Sequence, residues 1–144
     1  MSAPVAVVDT NVLVSGLFRR SLTPRRLLEA LRDNAFVLAT SPSLLSELID
    51  VISCPSIRRL VSAEALEVLG DALREDVLIV VPTERPEVVL TDPDDDELFA
   101  CAIAANASWV VSGDKAVLGV RRFRTICVVS PSAFLNELTR SSQR

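Results

Sequence analysis

The chain has 144 residues, enough for one domain with a substantial core, and 49% of them are hydrophobic although only 4% are aromatic. It has no histidine and only four glycines, which excludes histidine-dependent catalytic triads, the common zinc sites and glycine-rich phosphate loops. The net charge of −4 is unfavourable for a polyanionic partner. However, the acids concentrate at 92–97 and the arginines at 19–20, 25–26, 58–59 and 121–124.

Short apolar runs rich in β-branched residues predict the strands. Each run is four or five residues long and shows no polar alternation, which is typical of strands buried on both faces. In chain order the predicted strands cover residues 5–9, 36–40, 77–81, 109–112 and 125–129.

Helical patterns lie between these runs, and most begin with a capping residue followed by proline. The predicted helices begin at Thr23-Pro24, Ser41-Pro42, Ala63, Asp92-Pro93 and Ser130-Pro131. The second of them carries an apolar stripe formed by Leu44, Leu45, Leu48, Ile49 and Ile52. This alternation predicts an α/β protein in which helices cover both faces of a parallel sheet, as a single domain spanning 1–144.

The three cysteines, Cys54, Cys101 and Cys127, are widely spaced and lie in apolar contexts. Their odd number and spacing predict buried thiols in a reducing, cytoplasmic location. No apolar run approaches the roughly 18 residues that cross a bilayer, and the N-terminus lacks the regions of a signal peptide. We therefore expect no association with a membrane.

Two aspartates follow predicted strands at the edge where parallel sheets bind ligands, beyond the carboxyl ends of the strands. Asp9 ends the first strand and Asp114 follows the fourth. If these strands are neighbours, their axes lie about 4.8 Å apart and both carboxylates share one rim. Asp9 alone is typical of a turn residue at the end of a strand. Together with Thr10 and Asn11, however, it interrupts an otherwise apolar run, which favours a role in a site.

Other acids are placed less clearly by periodicity. Glu47 lies at the border of the apolar stripe, where it either faces a cleft or is an ordinary boundary residue, whereas Asp50 points to solvent. Residues 92–97 contain five acids, and capping a helix accounts for one or two of them. Periodicity does not decide which of these acids faces a site.

Converging carboxylates need a cation. At about 4 Å and an effective dielectric of about 20, each pair of carboxylates repels by roughly 4 kcal/mol. A divalent ion removes this repulsion, and hard oxygen ligands select Mg²⁺ or Mn²⁺. If the chain is an enzyme, we therefore expect its catalytic groups to be carboxylates with a metal ion.

Four segments carry a resemblance to a known family. They are VVDTNVLVS at 7–15, SLLSEL at 43–48, DPDDDELFA at 92–100 and VVSGDK at 110–115. In their order and approximate spacing the chain resembles the PIN-domain family, particularly the small prokaryotic PIN proteins described as toxins of toxin–antitoxin systems. The first and last segments together are fairly specific, whereas either alone is weak.

The resemblance implies both a site and a fold. Its catalytic acids and Mg²⁺ or Mn²⁺ ligands are Asp9, Glu47, Asp96 and Asp114. Supporting positions are Thr10 and Asn11, which brace the first aspartate, and Ser112, with Asp94 as an alternative to Asp96 or its companion. The implied fold is a three-layer α/β/α sandwich with a five-stranded parallel sheet in the order 3-2-1-4-5.

The function that the resemblance implies is cleavage of single-stranded RNA by a metal-dependent endoribonuclease, with a protein antitoxin as partner and a homodimer as the assembly. Two alternatives stay open. One is a PIN-like module that binds RNA or protein without cutting. The other is a phosphatase or phosphoacceptor domain with Asp9 as nucleophile, although Asn11 stands where such sites place a second acid.

Overall fold

The computed structural model describes residues 3–74, 77–89 and 95–142 and consists of one sheet with helices on both faces. The strands are β1 (Val5–Val8), β2 (Val37–Thr40), β3 (Leu78–Ile79), β4 (Trp109–Val111), β5 (Arg122–Phe123) and β6 (Ile126–Val129). The helices are α1 (Thr10–Ser15), α2 (Thr23–Arg32), α3 (Pro42–Ser53), α4 (Pro55–Arg58), α5 (Ala63–Arg74), α6 (Asp96–Ala105), α7 (Lys115–Leu118) and α8 (Pro131–Ser142).

The sheet has the strand order β3-β2-β1-β4-β6-β5. All neighbours pair in parallel except β5, which pairs antiparallel with β6. Because β6 is the fifth predicted strand, the expected parallel order is confirmed. The expected count of five was wrong, since the sheet has six strands. The additional strand, β5, has two residues and is too short to produce a hydrophobic pattern.

Alternate residues of the central strands enter two hydrophobic cores on opposite faces of the sheet. On β1, Ala6 and Val8 pack in the first core and Val7 packs in the second. The first core is completed by α2, α5 and α8, and in it Phe36 meets Phe134 edge to face, with ring centroids 5.1 Å apart. The second core is built mainly on α6. These two cores produce the predicted three-layer α/β/α arrangement.

Most helix starts agree with the prediction. Ser41 caps α3 through its hydroxyl, which accepts a backbone N–H at 3.3 Å, and α5 begins at Ala63 as expected. The predicted cap at Thr23 was wrong, because Thr23 is already helical and Leu22 precedes it without a side-chain hydrogen bond. The predicted start at Asp92-Pro93 lies outside the described residues.

Several apolar side chains are more exposed than predicted. Ile49 is 60% exposed because neither core covers its side of α3, and Ile79 is 56% exposed because β3 forms an edge of the sheet. Cys54, which ends α3, is exposed and not a core thiol, whereas Cys101 is buried as expected. Within the described residues, no helix has both the length and the apolar character needed to cross a membrane.

Candidate active site

The first and fourth predicted strands are neighbours in the sheet. β1 and β4 run in parallel, with Val7 opposite Val110 and Val8 opposite Val111. The backbone N–H of Asp9 continues this pairing and donates to the carbonyl of Val111 at 2.8 Å. The chain therefore leaves both strands at the same edge, which places Asp9 beside the segment that leads to Asp114.

Asp9 has two structural partners at this edge. Its carboxylate caps α1, because Oδ1 accepts the backbone N–H of Asn11 at 3.2 Å. Its Oδ2 accepts a hydrogen bond of 2.8 Å from the hydroxyl of Ser112. Asp9 is only 8% exposed, so the carboxylate is held in one orientation within a mostly buried environment.

Asp114 is fixed by the same serine. The backbone N–H of Asp114 donates to Oγ of Ser112 at 3.0 Å, and its own Oδ1 caps α7 by accepting the N–H of Ala116 at 2.8 Å. Ser112 is fully buried, whereas Asp114 is exposed. One buried hydroxyl thus links the Asp9 carboxylate to the backbone that positions Asp114.

The two aspartates line one cavity of about 470 Å³. Among the predicted supporting residues, Asn11 also lines it, whereas Thr10 is buried in α1. The sequence reasoning missed several wall residues: Val12, Ser15, Pro24, Gly113 and Pro131. A signal for Pro131 was available, because the helix after a neighbouring parallel strand begins at the same edge of the sheet.

Asp96 has a different environment. It begins α6, and its Oδ1 accepts the backbone N–H groups of Val88 and Val89 at 2.9 and 2.6 Å. These contacts anchor residues 88–89 against the first turn of α6. One carboxylate oxygen of Asp96 therefore serves a structural role.

Glu47 lies exposed on α3, and α3 packs against both α1 and α6. Among residues 3–74, 77–89 and 95–142, no three acidic or cysteine side chains form a group able to hold a metal ion. The structure therefore brings Asp9 and Asp114 to one cavity, without Glu47 or Asp96 as a third member of such a group. Asp94 lies outside the described residues.

Comparison with known proteins agrees with this geometry. Residues 5–116 match the PIN domain family, a range that includes both aspartates of the cavity and Ser112. The chain belongs to the PIN-domain family. It is also similar to an uncharacterized protein of Methanocaldococcus jannaschii, with 27% identity over 117 residues that cover 80% of this chain and 74% of that protein.

PIN domains are generally nucleases, which supports a nuclease-like hydrolase role for this chain. They typically use divalent metals, and the donors of the cavity suit such an ion. Mg²⁺ is commonly bound by one or two carboxylates and keeps several of its waters. Asp9 and Asp114 supply two carboxylates that line the same cavity, and a carboxylate retains free lone pairs after accepting one hydrogen bond per oxygen.

Proposed function

We propose that this PIN domain is a metal-dependent endoribonuclease that cleaves single-stranded RNA. The observation that supports this function is the pair Asp9 and Asp114 on one cavity, oriented by the buried hydroxyl of Ser112. Two carboxylates without histidine suit metal-assisted hydrolysis better than nucleophilic catalysis. The cavity of about 470 Å³ leaves room for a phosphodiester beside them.

In the proposed mechanism, Asp9 and Asp114 would hold Mg²⁺ or Mn²⁺, and Glu47 and Asp96 would contribute directly or through water. When bound, such an ion supplies Lewis-acid stabilisation of the phosphate charge and a more acidic water. Hydrolysis joins a water oxygen to phosphorus while the bond to the 3′ oxygen breaks and a proton from the water passes to that oxygen, which leaves a 5′ phosphate and a 3′ hydroxyl. Asp9 keeps its orientation throughout because Ser112 and the Asn11 N–H hold one oxygen each.

The proposal extends to a biological role as the toxin of a toxin–antitoxin pair, acting in the cytoplasm as a homodimer with a cognate antitoxin protein. It is supported by the resemblance of the four sequence segments to small prokaryotic PIN proteins. Expression of the wild-type chain should arrest growth, and the Asp9→Asn variant should not. Equal growth of both strains would contradict the toxin role. It would not contradict the nuclease activity, which is measured with purified protein.

The activity is tested with purified protein and end-labelled single-stranded RNA. Cleavage is expected with Mn²⁺, none with EDTA, and at least about a 100-fold lower rate for Asp9→Asn. Asp50→Asn is the matched control, because it removes an exposed acid from α3 and should cut at the wild-type rate. A fully active Asp9→Asn variant would remove the mechanism.

The same reactions separate the alternatives. RNA retained on the protein without cutting in Mn²⁺ would indicate a binding module. Release of phosphate from a small phosphomonoester by the wild-type chain, lost in Asp9→Asn, would indicate a phosphatase with Asp9 as nucleophile. Cleaved RNA that carries a 5′ phosphate supports the hydrolysis proposed above.

A further inference from the structure

Two pairs of arginines that are far apart in the sequence meet on one surface. The segment after α1 pairs with the segment after α4 through an antiparallel bridge between Phe18 and Val61. Arg19 strengthens this contact, since its guanidinium donates to the carbonyl of Arg59 at 3.1 Å. Its backbone N–H also donates to the carbonyl of Leu60 at 3.4 Å. The fold therefore places Arg19 and Arg20 beside Arg58 and Arg59.

These four arginines differ from the five arginines that form ion pairs within the described residues. All four are exposed, and within the described part of the chain none of them forms an ion pair with an acid. Five other arginines do form one: Arg32, Arg74, Arg85, Arg124 and Arg140. Because guanidinium groups stay protonated, the four arginines form a cationic surface on a chain whose net charge is −4.

Arg19 and Arg20 line a partly apolar groove, and Arg58 and Arg59 lie beside it. Phe18, Arg19, Arg20 and Leu60 line a cavity of about 430 Å³, and the side chain of Leu60 is 55% exposed. We call Phe18, Leu60 and the four arginines the arginine groove. Aromatic and apolar side chains that contact bases, beside arginines that bind phosphates, are the usual features of a site for single-stranded nucleic acid. In a duplex the bases are stacked inside the helix, so they do not contact apolar side chains such as Phe18 and Leu60.

The arginine groove lies close to the carboxylate cavity. Ser15 and Pro24 form part of the wall of that cavity, and Arg19 follows Ser15 by four residues, so their Cα atoms are at most about 14 Å apart. Arg25 braces the connecting segment, because its guanidinium donates to the carbonyls of Gly16 and Phe18 at 2.6 and 2.7 Å. A strand of RNA leaving the cavity therefore reaches the arginine groove within a few nucleotides.

We propose that the arginine groove binds the phosphate backbone of single-stranded RNA on one side of the cleaved bond and receives a base against Phe18 and Leu60. This inference rests on the proposed function. It identifies a surface that binds the substrate outside the catalytic cavity. It also explains how an acidic chain retains a polyanion, since the attraction is local.

The test measures binding in the absence of cleavage, with Asp9→Asn protein in EDTA and a fluorescein-labelled oligouridylate of about 20 nucleotides. In this background we compare the double variant Arg20→Gln/Arg58→Gln. Within the described residues neither side chain makes a hydrogen bond or an ion pair, so the fold should be retained. We expect anisotropy to show at least about tenfold weaker binding, and a plot of log K against log salt whose slope is smaller by about 1.4.

The control is the double variant Arg121→Gln/Arg122→Gln, which removes the same charge from two exposed residues at the start of the edge strand β5. It should bind the oligouridylate nearly as well as the parent protein. Equal losses in both double variants would show a nonspecific effect of net charge and would overturn the proposal. Unchanged affinity in Arg20→Gln/Arg58→Gln would overturn it as well.

Two further measurements distinguish binding of single-stranded RNA from binding of duplex RNA and from contact with protein. A matched RNA duplex that binds as tightly as the oligouridylate would contradict the single-stranded assignment. A changed oligomeric state of Arg20→Gln/Arg58→Gln in light scattering, with unchanged RNA affinity, would show that the surface contacts protein and would overturn the proposal. If RNA binds in the arginine groove but the wild-type protein does not cut it in Mn²⁺, the binding proposal is supported and the nuclease function is contradicted.

Discussion

The hydroxyl of Ser112 donates a 2.8 Å hydrogen bond to Oδ2 of Asp9, although the two residues are 103 positions apart in the sequence. The same oxygen accepts the backbone N–H of Asp114 at 3.0 Å. A hydroxyl has one donor and two acceptor sites, so Ser112 can serve both partners at once. The relative placement of the two candidate catalytic acids therefore depends on one buried side chain.

Replacing Ser112 with alanine should lower the cleavage rate by about 10- to 100-fold, because Asp9 loses the group that orients it. The concentration of Mn²⁺ needed for half-maximal activity should rise as well. The measurement is the cleavage rate over a Mn²⁺ titration, with circular dichroism to show that the fold is retained. Ser132→Ala, an exposed position on α8, is the control and should match the wild type. An unchanged Mn²⁺ titration in Ser112→Ala would argue against this role.

Two substitutions at Asp96 separate its structural role from its proposed role as a ligand. Asp96→Asn keeps an oxygen that can accept the N–H groups of Val88 and Val89, but it removes the charge. We expect this variant to unfold at nearly the wild-type denaturant concentration and to lose most of its cleavage activity. Asp96→Ala orphans both N–H groups and should lower the free energy of unfolding by about 1–3 kcal/mol.

The measurements are urea unfolding and RNA cleavage on the same preparations. If Asp96→Asn is as active as the wild type, Asp96 serves only to anchor residues 88–89, and the third ligand must be sought among the other acids near the start of α6. A stable Asp96→Ala variant would contradict the structural role derived from the two hydrogen bonds.

Glu47 and Asp50 give a matched pair on one helix. Both are exposed acids of α3, but only Glu47 is a site residue by the resemblance to the family. Glu47→Gln should lower cleavage by about 10-fold or more, because a carboxylate that reaches the metal directly or through water is lost. Asp50→Asn should leave the rate unchanged. Equal cleavage rates for the two variants would show that Glu47 is not part of the proposed site.

The sequence predicted the parts of the site that follow from strand ends. Asp9 and Asp114 were expected at one edge if the first and fourth strands were neighbours, as the resemblance implied, and the pairing of Val8 with Val111 agrees with this. Side chains on helices were harder to place. Glu47 lies at the border of an apolar stripe, and a border position at about 100° per residue does not decide between a cleft and solvent.

The missed elements of the fold are short or lack an apolar pattern. α1, α4 and α7 have four to six residues, and β5 has two, so none of them contains enough turns or alternations to produce a periodic signal. The exposure of Ile79 followed from its place on the edge strand β3, which only the assembled sheet reveals.

Gly16 and Gly70 should respond to alanine in opposite directions. A Cβ at Gly16 would lie 2.7 Å from Cδ1 of Leu28 and 2.9 Å from the carbonyl oxygen of Pro24, so Gly16→Ala should destabilise the fold by about 1–3 kcal/mol. Gly70 lies inside α5 with nothing within 4 Å of such a Cβ, and Gly70→Ala should stabilise by about 0.5–1 kcal/mol. Urea midpoints at equal m-values measure both changes. A neutral Gly16→Ala would show that the Leu28 side chain and the carbonyl of Pro24, a wall residue of the cavity, shift at little cost.

The cysteines should differ sharply in reactivity because the thiolate is the nucleophile. A hydrogen bond with Ser56 lowers the pKa of the exposed Cys54 thiol, with Sγ and Oγ 3.3 Å apart. Burial raises the pKa of Cys101 to about 12, and the charge of Glu97 adds to this effect. At about pH 8, iodoacetamide should therefore alkylate Cys54 first and leave Cys101 unmodified in the native protein.

Mass spectrometry of peptides after timed alkylation checks this order. As the pH rises from about 6 to 9, the midpoint of the increase in rate at Cys54 should lie below the usual thiol pKa of about 8.5, because the lowered pKa lets its thiolate form earlier. Cys101 should stay protected over the same range, since its thiol remains protonated and buried. Concentrated guanidinium chloride should expose all three thiols equally. Rapid native labelling of Cys101 would show that α6 opens readily, which would also loosen the anchor that Asp96 provides at its first turn.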